Sequence, residues 1–274
     1  MMTDEDFMAR ALELARHGAG FVSPNPMVGA VIESGGEIIG EGWHRLFGGP
    51  HAEVNAIRSV APEHRHLLKE ATVYVTLEPC SHFGKTPPCA DLLVESGVKR
   101  VVVALRDPFP EVSGKGIERL KNVGIDVTEG ILEAESKELN RSFITAHTLK
   151  RPYIQLKWAR SSDGYIGMLN SADLPYPVVL SDALGKILVH RDRSMTDAIM
   201  VGTDTVISDN PKLDIRHWPS RRNPLKVSFD LHNRLSADAL GADAIVIRQE
   251  KTLEEVCRSL YAEHGVTSLI VAFT

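Results

Sequence analysis

Phe7, Met8, Ala11, Leu12, Leu14 and Ala15 recur at the spacing of one helical face, with polar residues between them. Thr3 and Asp6 precede this run at capping-box spacing, so the pattern predicts an amphipathic helix over residues 4–17. The period then changes. Residues 27–32 and 37–43 read as strands, and Ser34-Gly35-Gly36 between them suits a hairpin turn. Residues 51–60 read as a helix, 72–77 as a strand, and 90–96 as a helix closed by Gly97. The Val-rich run 100–105 has the continuous apolar character of a strand buried on both faces. Residues 116–122, 125–128 and 131–146 continue as helix, strand, helix. A hairpin followed by such alternation predicts a layered α/β sheet.

Lys150-Arg151-Pro152 interrupts the pattern, which sets the expected domains at 1–149 and 150–274. A second α/β series follows: strand 153–159, helix 181–193, strands 197–201, 225–229 and 244–247, helix 253–264 and strand 267–272. Neither half contains an internal repeat or a low-complexity tract.

Composition narrows the picture. A chain of 274 residues, 43% hydrophobic and 24% charged, suits two globular domains. The formal net charge is −5 and the densest basic pair is Arg221-Arg222, which argues against a nucleic-acid partner. Three cysteines, Cys80, Cys89 and Cys257, are too few for a disulfide framework and fit a metal or catalytic use in a reducing compartment. The acidic start has no apolar signal segment, and no apolar run nears the roughly 18 residues of a membrane helix. These features predict a cytoplasmic protein without membrane contact.

The cysteines acquire a chemistry from their neighbours. His51-Ala52-Glu53, Glu78-Pro79-Cys80 and Cys89 stand in that order. A catalytic zinc takes three protein ligands and leaves a fourth position open. His51, Cys80 and Cys89 supply one imidazole and two thiolates. Glu53, two residues after the ligand histidine, is placed to carry protons without ligating the metal. His-x-Glu followed by Pro-Cys and a second Cys is the zinc deaminase pattern. Eight residues separate Cys80 from Cys89, where the general pattern has two. An intervening loop can still return the second thiolate, and Thr86-Pro87-Pro88 stiffens it. These residues alone leave open a zinc-dependent nucleoside or tRNA base deaminase, and a structural zinc module with His82 as the nearest fourth ligand.

Longer stretches carry a resemblance. Ser23-Pro24-Asn25-Pro26-Met27-Val28-Gly29, Pro50-His51-Ala52-Glu53-Val54, the stretch from Tyr74 through Cys89, and Arg100-Val101-Val102-Val103-Ala104-Leu105-Arg106-Asp107-Pro108 resemble the bifunctional deaminase/reductase family of riboflavin biosynthesis. The long loop between the cysteines is that family's own form. The resemblance implies an N-terminal three-layer cytidine-deaminase-like domain followed by a dihydrofolate-reductase-like α/β domain, and a homo-oligomer. It implies zinc-dependent deamination of 2,5-diamino-6-ribosylamino-4(3H)-pyrimidinone 5′-phosphate, then NADPH-dependent reduction of the ribosyl chain to ribityl. Asn25, His44, His82 and Lys85 become candidate contacts for that substrate, Lys85 for its phosphate.

In the second half the resemblance rests on Gln155-Leu156-Lys157-Trp158-Ala159, Ser161-Ser162-Asp163-Gly164, Asp197-Ala198-Ile199-Met200-Val201-Gly202 and the stretch from Thr205 to Leu213. It implies cofactor contacts at Ala159, Thr205 and Asp209, and substrate contacts at Arg193, Leu213 and Arg216. No Gly-x-Gly-x-x-Gly occurs, so a Rossmann cofactor site is not expected. Two departures stand out. Residues 170–181 lack the family's Ser-x-Trp, and the last strand runs into Ala272-Phe273-Thr274 where the family has a Glu-Gly-Gly turn for the cofactor phosphates. They predict a C-terminally incomplete reductase domain with weak second activity.

Overall fold

The protein is described by a computed structural model covering residues 2–81, 87–109, 113–166, 168–169, 175–176, 178–220, 222–236, 239–249 and 251–273. It divides into two compact units, Met1–Thr148 and Leu149–Thr274.

The first unit opens with α1 (Asp4–Arg16), whose Thr3 and Asp6 form the expected capping box. The hairpin strands are β1 (Gly29–Ser34) and β2 (Glu37–Trp43). β1 begins two residues later than the hydrophobic pattern suggests, because both backbone groups of Met27 are bonded to the Asn140 side chain instead of a strand. Next come α2 (Ala52–Ser59), a 3-10 helix (Pro62–Glu70) that the sequence pattern does not reveal, β3 (Thr72–Val75), α3 (Cys89–Ser96) and β4 (Arg100–Val103). The unit closes with α4 (Lys115–Asn122), β5 (Asp126–Glu129), α5 (Glu133–Leu139) and α6 (Arg141–Leu149). The single helix expected over 131–146 is therefore two, broken at Asn140, where φ is −103° and ψ is 19°.

The sheet order is β2-β1-β3-β4-β5, antiparallel through the first three strands and parallel thereafter. Side chains alternate across it as strand geometry requires. Ala30, Ile32, Val73, Val75, Val101 and Val103 pack with Ala52, Ala56, Ala90, Leu93, Ile117 and Leu120 of α2, α3 and α4. Val31, Tyr74 and Val102 face the other way, against Phe7, Met8, Ala11 and Leu14 of α1. Helices on both faces make the unit three-layered. The second layer lies very close at one point: a Cβ on Gly42 would stand 2.3 Å from the Ala56 nitrogen. Only glycine lets α2 sit this low on β2, and that seat fixes the start of α2, where His51 and Glu53 stand.

The second unit contains β6 (Tyr153–Lys157), a short antiparallel pair β7 (Met168–Leu169) and β8 (Pro175–Tyr176), α7 (Ala183–Ser194), β9 (Ala198–Gly202), α8 (Thr203–Asp209), β10 (Leu225–Phe229), β11 (Ile245–Ile247), α9 (Leu253–His264) and β12 (Ser268–Ala272). Its larger sheet is wholly parallel, in the order β11-β10-β9-β12-β6. The short α8 and the β7–β8 pair are additions to the elements expected from the sequence. Cys257 is buried on α9 with Val256 and Leu260 against β9, β10 and β12, the place of a small apolar core residue. Among the described residues no helix is long and apolar enough to cross a membrane.

Candidate active sites

His51 caps α2, Glu53 lies in its first turn, Cys80 follows β3, and Cys89 opens α3. The fold brings these four residues of distant sequence position to one place. His51 Nδ1 lies 3.6 Å from Cys80 Sγ and 3.3 Å from Cys89 Sγ. A tetrahedral zinc, with bonds of about 2.0 Å to nitrogen and 2.3 Å to sulfur, would hold those atoms about 3.5 Å apart. The donor set and its spacing therefore fit the ion. The Cys89 backbone N–H donates to Cys80 Sγ at 3.3 Å, so the start of α3 stabilises a thiolate there. The Cys89 thiol bonded to Cys80, and after it the His51 imidazole, hold the Cys80 thiol well below its ordinary pKa, while Cys89 is pushed up.

Glu53 is 3% exposed, and its Oε2 has no hydrogen-bond partner among the described residues. Burial, and after it the Cys80 thiolate, pushes its carboxyl up to about 7. A buried carboxyl oxygen left without a partner beside a three-ligand cluster is costly unless it serves a bound group.

A cavity of about 510 Å³ opens on these groups and is also lined by Asn25, Pro26, Val28, His44, Phe109, Phe143 and His147. His44 Nδ1 is 3.0 Å from the Pro50 carbonyl, which can only accept, so that nitrogen carries the proton. Its Nε2 then accepts from Asn25 Nδ2 at 3.2 Å. Burial also holds the His44 pKa below its ordinary value, consistent with the neutral ring. Because His44 consumes an N–H of the Asn25 amide, the Asn25 carbonyl oxygen is left for a donor in the cavity. His82 and Lys85 lie outside the described residues.

Glu78 was visible in the sequence only as a neighbour of Cys80. It is 6% exposed and accepts from the N–H groups of Asp107 (3.1 Å), Gly114 (2.8 Å), Gly116 (2.9 Å) and Ile117 (3.3 Å). The carboxylate thus ties the loop after β4 and the start of α4 to the strand end that carries Cys80. The approach is close enough that a Cβ on Gly116 would fall 2.0 Å from the Pro79 carbonyl oxygen. Glu78→Gln puts an amide N–H against backbone N–H groups, and is expected to cost the first unit about 2–4 kcal/mol. Thermal unfolding and zinc retention on dialysis check this; values matching wild type would mean that the loops are held by other contacts.

In the second unit an open cavity of about 1200 Å³ is lined by Lys157, Ala159, Asp163, Arg193, Asp209 and Arg216, among others. Burial lowers the pKa of Lys157 and of Arg193. Arg193 Nε is buried without a hydrogen-bond partner among the described residues. His190, which the sequence did not single out, accepts the Arg216 backbone N–H on Nδ1 at 3.0 Å and so fixes that segment. Leu213 lies in the core with Ile199, Val201 and Val206, in a left-handed backbone conformation (φ 52°). Neither it nor Thr205 on α8 is among the residues lining the cavity.

The two folds and their sites define a bifunctional class of enzyme, a zinc-binding deaminase domain joined to a reductase domain. Residues 1–105 match the cytidine and deoxycytidylate deaminase zinc-binding region, and residues 152–272 match the RibD C-terminal domain. The chain is 41% identical to riboflavin biosynthesis protein RibD of Aquifex aeolicus over 274 residues, covering 98% of this chain and 74% of that protein. It is 41% identical to RibD of Escherichia coli over 249 residues, covering 86% of this chain and 65% of that protein. A Thermotoga maritima structure described as a diaminohydroxyphosphoribosylaminopyrimidine deaminase/5-amino-6-(5-phosphoribosylamino)uracil reductase superposes with TM-score 0.87 at 41% identity, over 98% of this chain and 80% of that one. The chain belongs to the RibD family of riboflavin biosynthesis proteins.

Proposed function

We infer that the first unit hydrolyses the ring amino group of 2,5-diamino-6-ribosylamino-4(3H)-pyrimidinone 5′-phosphate, and that the second reduces the ribosyl chain of the product with NADPH. The observation that carries the first part is the buried Glu53 carboxyl, whose Oε2 has no partner among the described residues, beside the His51, Cys80 and Cys89 cluster. Zinc held by those three groups would supply Lewis acidity and acidify water at its open position. Glu53 takes a proton from the attacking water and passes it to the departing amine, which leaves as ammonia while the ring carbon gains a carbonyl. Burial raises the pKa of this carboxyl, which suits a group that must both accept and release that proton. Asn25, oriented by His44, offers its carbonyl oxygen to an N–H on the pyrimidine edge. His82 and Lys85 remain candidates for the same substrate, Lys85 for its phosphate.

For the second unit, the half-buried Arg193, whose buried Nε has no partner among the described residues, and the half-buried Lys157 suit a phosphorylated substrate. Arg216 serves the same ligand, and Ala159 and Asp209 offer the wall for the nicotinamide cofactor; Thr205 and Leu213, which do not line this cavity, are contacts only as the resemblance implies them. The test assays the chain with the diaminopyrimidine phosphate, reading ammonia release without NADPH and NADPH oxidation with it. Ammonia release abolished by chelation and restored by zinc is expected; release from cytidine or a tRNA instead would overturn the substrate assignment. Arg193→Met is expected to raise the KM for the phosphorylated intermediate about 10–100-fold, through loss of charge-assisted bonds worth about 1.5–3 kcal/mol. An unchanged KM would remove Arg193 from the binding set.

A further inference from the structure

The segment that carries Asn25 is short of backbone donors. Pro24 and Pro26 have no N–H, so Asn25 and Met27 supply the only two between residues 24 and 27. The Asn25 N–H reaches the Val22 carbonyl at 2.8 Å. The Met27 N–H has no neighbouring strand to meet, because β1 begins at Gly29. Its partner comes from 113 positions away. Asn140 Oδ1 accepts the Met27 N–H at 2.8 Å, and Asn140 Nδ2 donates to the Met27 carbonyl at 2.9 Å. The side-chain amide thus replaces a ladder residue, satisfying both backbone groups of Met27 with one planar group.

Asn140 is 2% exposed and stands at the break between α5 and α6. Its own carbonyl accepts the Ile144 N–H at 2.9 Å and so starts α6. α6 delivers Phe143 and His147 to the same cavity that Asn25, Pro26 and Val28 line. One residue therefore joins two walls of the cavity without touching it: the edge-reading wall through Met27, and the aromatic wall through the start of α6.

We propose that Asn140 is a positioning residue of the deaminase site, setting the place of Asn25 and the width of the pyrimidine slot by clamping both backbone groups of Met27. The proposal rests on the pyrimidine-deaminase reading of this cavity. Asparagine is specific for the task because it presents one acceptor and two donors on a flat group. Aspartate is nearly isosteric but has no donor, so its carboxylate would face the Met27 carbonyl. Alanine would leave both backbone groups of Met27 without the Asn140 partner.

The test uses the zinc-loaded full chain with Asn140→Ala and Asn140→Asp. Both are expected to keep zinc and to raise the KM for the diaminopyrimidine phosphate about tenfold, with kcat per bound zinc changed by less than about threefold. The Kd of the same substrate for these variants in a Glu53→Gln background, read by calorimetry, is expected to rise in parallel. With Asn25→Ala already present, Asn140→Ala is expected to shift KM less than about twofold further, since its effect runs through Asn25. Amide exchange supplies a readout independent of substrate: in Asn140→Ala, protection of the Met27 N–H is expected to fall while that of β1 holds. A wild-type chain that neither binds nor deaminates the pyrimidine would refute the functional reading, and the exchange result would still decide the clamp. Unchanged KM and Kd, additive effects with Asn25→Ala, unchanged Met27 protection, or loss of fold in both variants would each overturn the proposal.

Discussion

Glu53→Gln is expected to keep zinc at wild-type content and to lower the deamination rate by about 10²–10⁴-fold, the range for loss of a general acid–base group. Glutamine preserves the size of the side chain in a site where Glu53 is 3% exposed, so the metal ligands keep their places. It removes the only feature that matters for the reaction, a proton that can be accepted and given back. Burial already penalises the charged form of this carboxyl, and the neutral amide carries no such penalty. The variant is therefore expected to be at least as stable as wild type at neutral pH, where the raised pKa makes the charged carboxylate unfavourable. Metal analysis, ammonia release and thermal unfolding on one preparation check all three expectations. Near-normal activity with normal zinc would remove Glu53 from the proton path.

Cys80→Ser and Cys89→Ser are each expected to weaken zinc binding by well over about 100-fold, the upper range for losing a group that merely orients a ligand. Each leaves two of three protein ligands and one thiolate to balance a divalent cation. Cys89→Ser also alters the first residue of α3, which is 2% exposed, so the first unit is expected to melt earlier. Cys257→Ser is the control: this thiol sits in the α9 core of the second unit and should leave zinc content unchanged. Equilibrium dialysis against a zinc-buffered solution measures the affinities. Stoichiometric zinc in either ligand variant at ordinary affinity would show that the cysteine concerned does not bind metal.

Much of this was legible in the chain. The unbroken apolar run within 100–105 marked a strand that lies between two helical layers, because such a strand needs apolar partners on both faces, and Ala30-Val31-Ile32 and Val73-Tyr74-Val75 share that character. Thr3 with Asp6 and Thr252 with Glu255 determined the starts of two helices, because capping is a contact between near neighbours. His51, Glu53, Cys80 and Cys89 identified themselves because a catalytic metal tolerates few ligand sets. What the sequence could not give were the partnerships between distant segments. Nothing local marks Glu78 as the acceptor for four N–H groups between residues 107 and 117. Asn140 reads as a weak residue inside a helical run; only the fold brings it to Met27 and turns one helix into two. His190 and Arg216 meet for the same reason, across 26 positions. Short-range patterns are set by steric and hydrogen-bonding preferences each residue carries with it, whereas a buried donor's partner is whichever acceptor the packed layers deliver, and that was decided by the tertiary structure alone.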